Sequence, residues 1–453
     1  MRHLGLIWEA LRTSLWFVPS LFVLGAIVLA QGMIELDHVL PMGKLESALP
    51  RVFAVGPSGA RSVLATVAGS MISVAGVAFS ITIVALTLAS SQYTSRILRN
   101  FMRDRANQAV LGAFVGIFVY CLWVLRTISE GSGEAYSFVP ATAVLMGVVL
   151  AIVGIACLIF FIHHIAQAIQ AEHIILAATN ETLDTVDRLF PERLGKDADA
   201  GEETAAMARV SDGAMAWRAI ASNKTGYLQS VDEDGLLRFA CERGIVVRME
   251  CAIGRFVVEG SALASLAVPP APASVADTRQ PEGHTVEALR GLFAIGGQRT
   301  TVQDSAYGIR QIVDVALKAL SPGVNDTTTA VSCVEHLTSI MARVAVRRIP
   351  SAYRLEEGQV RVIALRPSFA ELLGNAFDQI RQNSAGNVAT LQALVDGLIV
   401  LADRAAKPEY RQSITDQLDL IAALAERTIE QDADRARIEE TVRRLREDLG
   451  EAG

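Results

Sequence analysis

Five hydroxyl-bearing residues recur at intervals of seven in one apolar stretch: Thr66, Ser73, Ser80, Thr87 and Thr94. Two turns of α-helix take about 7.2 residues, so positions seven apart drift by only about 20° per step. On a helix the five therefore make one nearly straight polar stripe. The chemistry open to such a stripe is hydrogen bonding without charge. It can face water in a pore built from several copies of the helix and pass ions or small solutes, with selectivity set by rings elsewhere. It can equally bond to a neighbouring helix, since Gly69 and Gly76 beside it admit close backbone approach.

Just beyond the stripe, Arg96, Arg99 and Arg103 follow i, i+3, i+7 spacing and share a face if the helix continues. They form either an electropositive vestibule that favours anions or contacts to anionic lipid head groups. No Asp or Glu interrupts the long apolar stretches, which counts against a proton- or cation-coupled carrier. His163 and His164 are adjacent, so on a helix they point about 100° apart and are badly placed to share one ion. No metal site is expected. The chain lacks G-x-x-x-x-G-K-[ST], H-E-x-x-H, C-x-x-C and G-x-S-x-G, so no enzyme class is indicated. Arg299, Asp304, Asp326, Glu335 and His336 lie near one another in sequence, where helix caps and surface charge account for them.

The elements that must position these residues follow from charge-free runs. Thr13 to Ile34, Ser62 to Ser95, Ala106 to Leu125 and Ala135 to Ile162 each lack Asp, Glu, Lys, Arg and His. Each supplies the roughly 20 apolar residues that cross about 30 Å of hydrocarbon, and lipid leaves the backbone no partner but its own helix. Four transmembrane helices are predicted, about 13–34, 62–95, 106–125 and 135–168, in a domain spanning 1–170. The first is read as a retained span rather than a signal peptide, because no small-residue cleavage site closes it. Arg2, Arg12 and the loop arginines Arg96, Arg99, Arg103 and Arg105 fall on one side, Lys44, Arg51, Arg61 and Arg126 on the other. The arginine density of the short loop places both termini in the cytoplasm.

A mean hydropathy of +0.35 beside a net charge of -7 in 453 residues fits a membrane part joined to a soluble one. Five cysteines, two of them inside apolar stretches, fit a reducing compartment. The soluble part is predicted to be α+β. A helical extension and acidic loop occupy 171–208, and a β-rich module occupies 209–268. There, short β-rich runs alternate with glycine turns, and "GIVVRMECAIGRFVVEGSALASL" resembles half of a biotinyl/lipoyl-type barrel-sandwich domain. No lysine occurs between Lys224 and Lys318, so neither prosthetic group is expected and no cofactor is implied.

A proline-rich linker over 269–283 leads to a helical region, 284–453. Ile309, Ile312, Val313, Ala316, Leu317 and Leu320 have amphipathic helical spacing, with Asp304 a candidate N-cap. Pro322 and Gly323 turn the chain, and Asn325 and Asp326 can bond the free N–H groups of the next helix, which carries Ala330, Val331, Val334, Leu337 and Met341. That helix has few basic residues before Arg343, so nucleic acid is not an expected partner. Ile438, Val442, Leu445 and Leu449 form a last apolar stripe, for packing on the same domain or on another subunit.

"VAFSITIVALTLASSQYTSRILRNFMRDR" and "GQRTTVQDSAYGIRQIVDVALKALSPGVNDTTTA", in this order, resemble a family of bacterial membrane proteins known as domain of unknown function 2254. Where members often carry Pro and an aromatic residue after the "ND", this chain has Thr327 and Thr328. The resemblance covers nearly the whole chain and implies the four-span topology and a bacterial inner membrane, and it brings no activity with it. The expectation is a homo-oligomeric channel for ions or small solutes in that bilayer, with the second span lining the pore and the soluble domains gating or filtering it. The alternative is a membrane-anchored scaffold or ligand sensor.

Overall fold

A computed structural model of the chain describes residues 16–39, 56–92, 104–129, 138–168, 170–190, 215–267, 283–405 and 407–451. The chain divides into two compact units, Met1–Ile174 and Ile175–Gly453.

In the first unit all four apolar stretches are helices: α1 (Phe17–Val39), α2 (Pro57–Gln92), α3 (Arg105–Thr127) and α4 (Ala141–Ala168). Each is long and apolar enough to cross a membrane. α3 is the central helix and packs against the other three, with Phe114, Tyr120, Cys121 and Val124 fully buried. Close packing without a hydrophobic drive in lipid needs small residues, and two glycine pairs supply them. A Cβ on Gly112 would lie 2.9 Å from the Phe22 ring and 3.0 Å from Pro19 Cα, and one on Gly116 would lie 3.2 Å from the Phe22 carbonyl oxygen. On α4, Gly147 and Gly154 receive Leu64 and Met71 of α2.

α1 runs past the apolar stretch to Val39 and takes Glu35 and Asp37 into the helix. Asp37 is 4% exposed. Its carboxylate accepts the N–H groups of Thr142 and Ala143 at 3.1 Å, satisfying the first turn of α4. The fourth span begins later than its apolar composition suggests. Residues 138–140 are not helical, Ser129 and Phe138 form a β-bridge, and the helix starts at Ala141 beside Pro140, a residue favoured at helix starts.

In the second unit, α5 (Ala171–Leu189) leads in, and the segment from Ile175 packs with the unit. Five strands make an open sheet in the order β1 (Trp217–Ala221), β5 (Ala262–Ala267), β3 (Val246–Met249), β8 (Gln359–Ile363), β7 (Tyr353–Glu356). All pairs are antiparallel except β3 with β8. A second sheet has the order β4 (Phe256–Val257), β2 (Gly226–Val231), β6 (Phe293–Gly296).

The described strands form no closed barrel and lend the barrel-sandwich expectation no support. The strands of 217–267 part between two sheets, and each sheet is completed from beyond residue 283. The alternation of strands and glycine turns is also interrupted by a helix, α6 (Glu233–Arg243). Asp232 caps it by accepting the Gly235 N–H at 3.0 Å, and Gly244 ends it at φ 63°. Leu236, Phe239 and Ala240 then bury one face against the sheet core around Leu228, Val247 and Leu263.

α7 (Gly283–Arg290) precedes β6, and six helices follow: α8 (Ser305–Ala319), α9 (Thr327–Ala345), α10 (Phe369–Gln382), α11 (Val388–Ala402), α12 (Pro408–Thr428) and α13 (Asp432–Glu451). α8 buries Ile309, Ile312, Val313 and Ala316 fully. The stripe of Ile438, Val442 and Leu445 on α13 packs on α11 and α12 of the same unit. α11 is highly apolar, yet with 15 residues and Leu391, Leu394 and Leu398 buried it is a core helix rather than a span. Where α5 crosses α8, a Cβ on Gly308 would lie 2.1 Å from Thr182 Oγ1, so glycine sets the approach. Arg347, 5% exposed, donates to the Phe190 carbonyl at 2.5 Å and pairs with Asp187 at 2.7 Å, holding the end of α5.

The acidic loop expected at the end of 171–208 and all but the last residue of the linker expected at 269–283 lie outside the described residues.

Candidate membrane site

α2 has two faces of different chemistry. One carries Ala60, Leu64, Ala68, Met71, Ala75, Ala78 and Ala85, all buried against α3 and α4. Alanine at this spacing lets the helices approach closely. The other face carries Thr66, Ser73, Ser80 and Thr87, all exposed, together with Gly69 and Gly76, where nothing lies within 4 Å of a built Cβ. Among the described residues, the hydroxyl stripe is thus turned away from the other helices of its own unit. Thr94, the fifth member, and Arg96, Arg99 and Arg103 lie outside the described residues.

The hydroxyl protons of Thr66, Ser73 and Thr87 are spent within the helix. Thr66 donates to the Ser62 carbonyl at 2.7 Å, Ser73 to Gly69 at 2.8 Å and Thr87 to Ile83 at 2.9 Å. Each oxygen keeps acceptor lone pairs directed outward. The stripe therefore offers partial negative charge to whatever meets it. Ile72, Val77 and Phe79 are exposed nearby and are suited to lipid or to a neighbouring apolar surface.

At the end of the unit where α3 begins, polar residues gather that the charge-free runs do not reveal. Asp104 caps α3 by accepting the Ala106 N–H at 2.9 Å and also pairs with His164 of α4. Asn107, 8% exposed, has neither amide atom hydrogen-bonded among the described residues. At the opposite end, Arg61 donates to the Ile128 carbonyl at 2.7 Å and Tyr120 to the Ala143 carbonyl at 2.8 Å. Asp37 and Asp104 give no signal in the sequence because they sit outside those runs. Gly112 and Gly116 do carry one, the small-x-x-x-small spacing of membrane helix contacts.

Of the residues clustered in sequence around α8 and α9, Arg299 and Asp304 pair at the start of α8, while Asp326 caps α9. Asp304 caps α8 by accepting the Tyr307 N–H at 2.9 Å and pairs with Arg299 at 2.7 Å. Burial pushes its carboxyl up, against the pull of Arg299. Asp326 caps α9, at the far end of α8, by accepting the Thr329 hydroxyl at 2.6 Å and backbone N–H at 3.0 Å, which hold its carboxyl low. Ser321, Pro322 and Gly323 open the turn, and Asn325 closes it at φ 48°. His336 Nδ1 lies 3.1 Å from Thr179 Oγ1, a packing contact between α9 and α5. No group of three or more metal-ligating side chains occurs among the described residues.

The profile of a family described as "Predicted membrane protein (DUF2254)" matches residues 12–399. The chain belongs to this family. The matched residues include all four membrane helices, both sheets and the α8–α9 pair, while α12 and α13 lie beyond them. Two relatives, each described as an uncharacterized protein, come from Mycobacterium tuberculosis and Mycobacterium bovis. Each is 34% identical over 437 residues, which is 95% of this chain and 80% of theirs. No solved structure matches.

Proposed function

We propose that the chain is a homo-oligomeric channel of the bacterial inner membrane, passing ions or small solutes along a pore lined by α2. The observation that carries this reading is the placement of Thr66, Ser73, Ser80 and Thr87 on an α2 face that no described helix of the same unit covers. One stripe is a single wall, so a closed path needs copies related by symmetry around it. Outward lone pairs on hydroxyl oxygens replace part of a permeant's hydration without the cost of a buried charge. Arg96, Arg99 and Arg103 follow the stripe in sequence and, with N- and C-termini in the cytoplasm, supply a positive vestibule or grip lipid head groups there. The second unit then sits on the cytoplasmic side, where it gates or filters the pore.

Purified protein in sealed liposomes should give ion or solute flux that Ser80→Leu and Thr87→Leu abolish. No flux across a broad ion panel, with a sealed interior verified, would sink the reading. The i to i-4 bonding of Thr66, Ser73 and Thr87 favours a second reading, in which α2 seats against another copy without a pore and the chain is a membrane-anchored scaffold or sensor. That reading expects Ser80→Leu to disrupt assembly in a protein that gives no flux to begin with.

A further inference from the structure

The second unit contains a cavity of about 310 Å³ between α6, β3, β8 and the start of α8. Its volume is at the lower end of small-molecule sites. Leu236, Met249, Ile253, Val362 and Leu365 give it an apolar wall. Its polar side carries both signs, with Arg354, Arg366 and Ser305 beside four carboxylates. Ser305 and Ala306, which line it, are the first two residues of α8, where backbone N–H groups lack helical partners and the helix dipole is positive.

Two side chains add observations independent of the helix end. Ser305 is 2% exposed, and its hydroxyl has no hydrogen-bond partner among the described residues. A buried hydroxyl left so is destabilising, and a ligand oxygen would remove that cost. Arg354 also lines the cavity and donates to the Ser351 carbonyl at 2.7 Å, yet meets no carboxylate within ion-pair distance among the described residues. The acids of the cavity are mostly engaged: Glu233 pairs with Arg366 at 2.6 Å, Asp304 with Arg299 at 2.7 Å, and Glu371 accepts the Ser368 N–H at 2.8 Å. Asp234 is exposed.

We propose that this cavity binds a small organic anion, a monocarboxylate with an apolar body, through Arg354, the Ser305 hydroxyl and the leading amides of α8. The inference is independent of whether α2 lines a pore. Full-length protein in lipid nanodiscs is titrated with phenylacetate, hexanoate, phenethyl alcohol and phenethylammonium, and binding is read by saturation-transfer NMR against empty nanodiscs. Both carboxylates should bind, the alcohol more weakly, and the ammonium not at all. Arg354→Gln should weaken carboxylate binding by about tenfold or more, and Ser305→Ala by about three- to tenfold. The proposal is overturned if neither carboxylate binds above the empty nanodiscs, if the ammonium binds as tightly, or if Arg354→Gln leaves the affinity unchanged. Should Arg354→Gln fail to fold, the carboxylate-against-ammonium comparison on the unmodified chain decides.

Discussion

Asp187 serves two arginines, and its acid–base behaviour follows from them. Arg343 donates to its carboxylate at 3.0 Å and Arg347 pairs with it at 2.7 Å. The Arg343 hydrogen bond, with the charge of Arg347 behind it, holds the carboxyl below its usual range. The folded state therefore takes up this proton at lower pH than the unfolded chain. The stabilisation is present above about pH 4 and is lost as the pH falls through the depressed value. Asp187→Asn should cost about 1–2 kcal/mol near neutrality, less than the loss of a fully buried partner because Asp187 is itself 38% exposed. The gap between the two proteins in denaturant melts should narrow as the pH is lowered.

Gly308 offers a second residue-level test. Gly308→Ala places a methyl on Thr182 Oγ1 and should destabilise the second unit by about 1–3 kcal/mol, partly recovered by Thr182→Ala in a double-mutant cycle. Cys333 reports on it. The thiol is fully buried, and burial pushes it up to about 12. In a chain whose other cysteines are replaced, it should label with thiol reagents only on unfolding, and faster in Gly308→Ala. Caps such as Asp326 belong to patterns readable in a short stretch of sequence. Thr182 against Gly308 does not, because the two residues are far apart in the chain and only the fold brings them together.

Among elements, legibility follows the strength of the period. The four apolar runs and the α8 and α9 patterns are long and regular, so their helices can be read directly. α6 is hidden although its signals are present, an Asp cap, acidic residues in the first turn and a terminal glycine. Its 11 residues lie between β-rich runs, where a period of two and one of 3.6 are easily confused. The sheets are illegible for another reason: β3 pairs with β8 across more than a hundred residues, and no local pattern encodes that pairing.

At the same scale, the glycines of the membrane unit separate two kinds of contact. Gly112→Leu cannot be accommodated beside Phe22 and Pro19, so it should abolish folded protein in gel filtration and in thermal melts. Gly69→Leu meets open space among the described residues. It should leave the chain folded while shifting the assembly to smaller species by light scattering. Equal collapse of both variants would place α2 wrongly in the unit.

At the scale of the whole molecule, a membrane unit with an outward hydroxyl face is joined to a larger second unit with a ligand-sized cavity. The spacing of seven makes the common face legible in the amino-acid sequence alone. What that face meets, another copy as in the proposed channel or lipid, is not encoded in one chain's periodicity. The most direct measurement is the water accessibility of the stripe in the bilayer. In a cysteine-free chain reconstituted in liposomes, Ser73→Cys and Ser80→Cys are exposed to a membrane-impermeant thiosulfonate. Ile152→Cys and Ile159→Cys, on the apolar outer face of α4, serve as lipid-facing references. Thiolate forms only where water reaches, so a pore lined by α2 predicts rapid modification at Ser73 and Ser80 and none at the references. Stripe positions as unreactive as Ile152→Cys would contradict it.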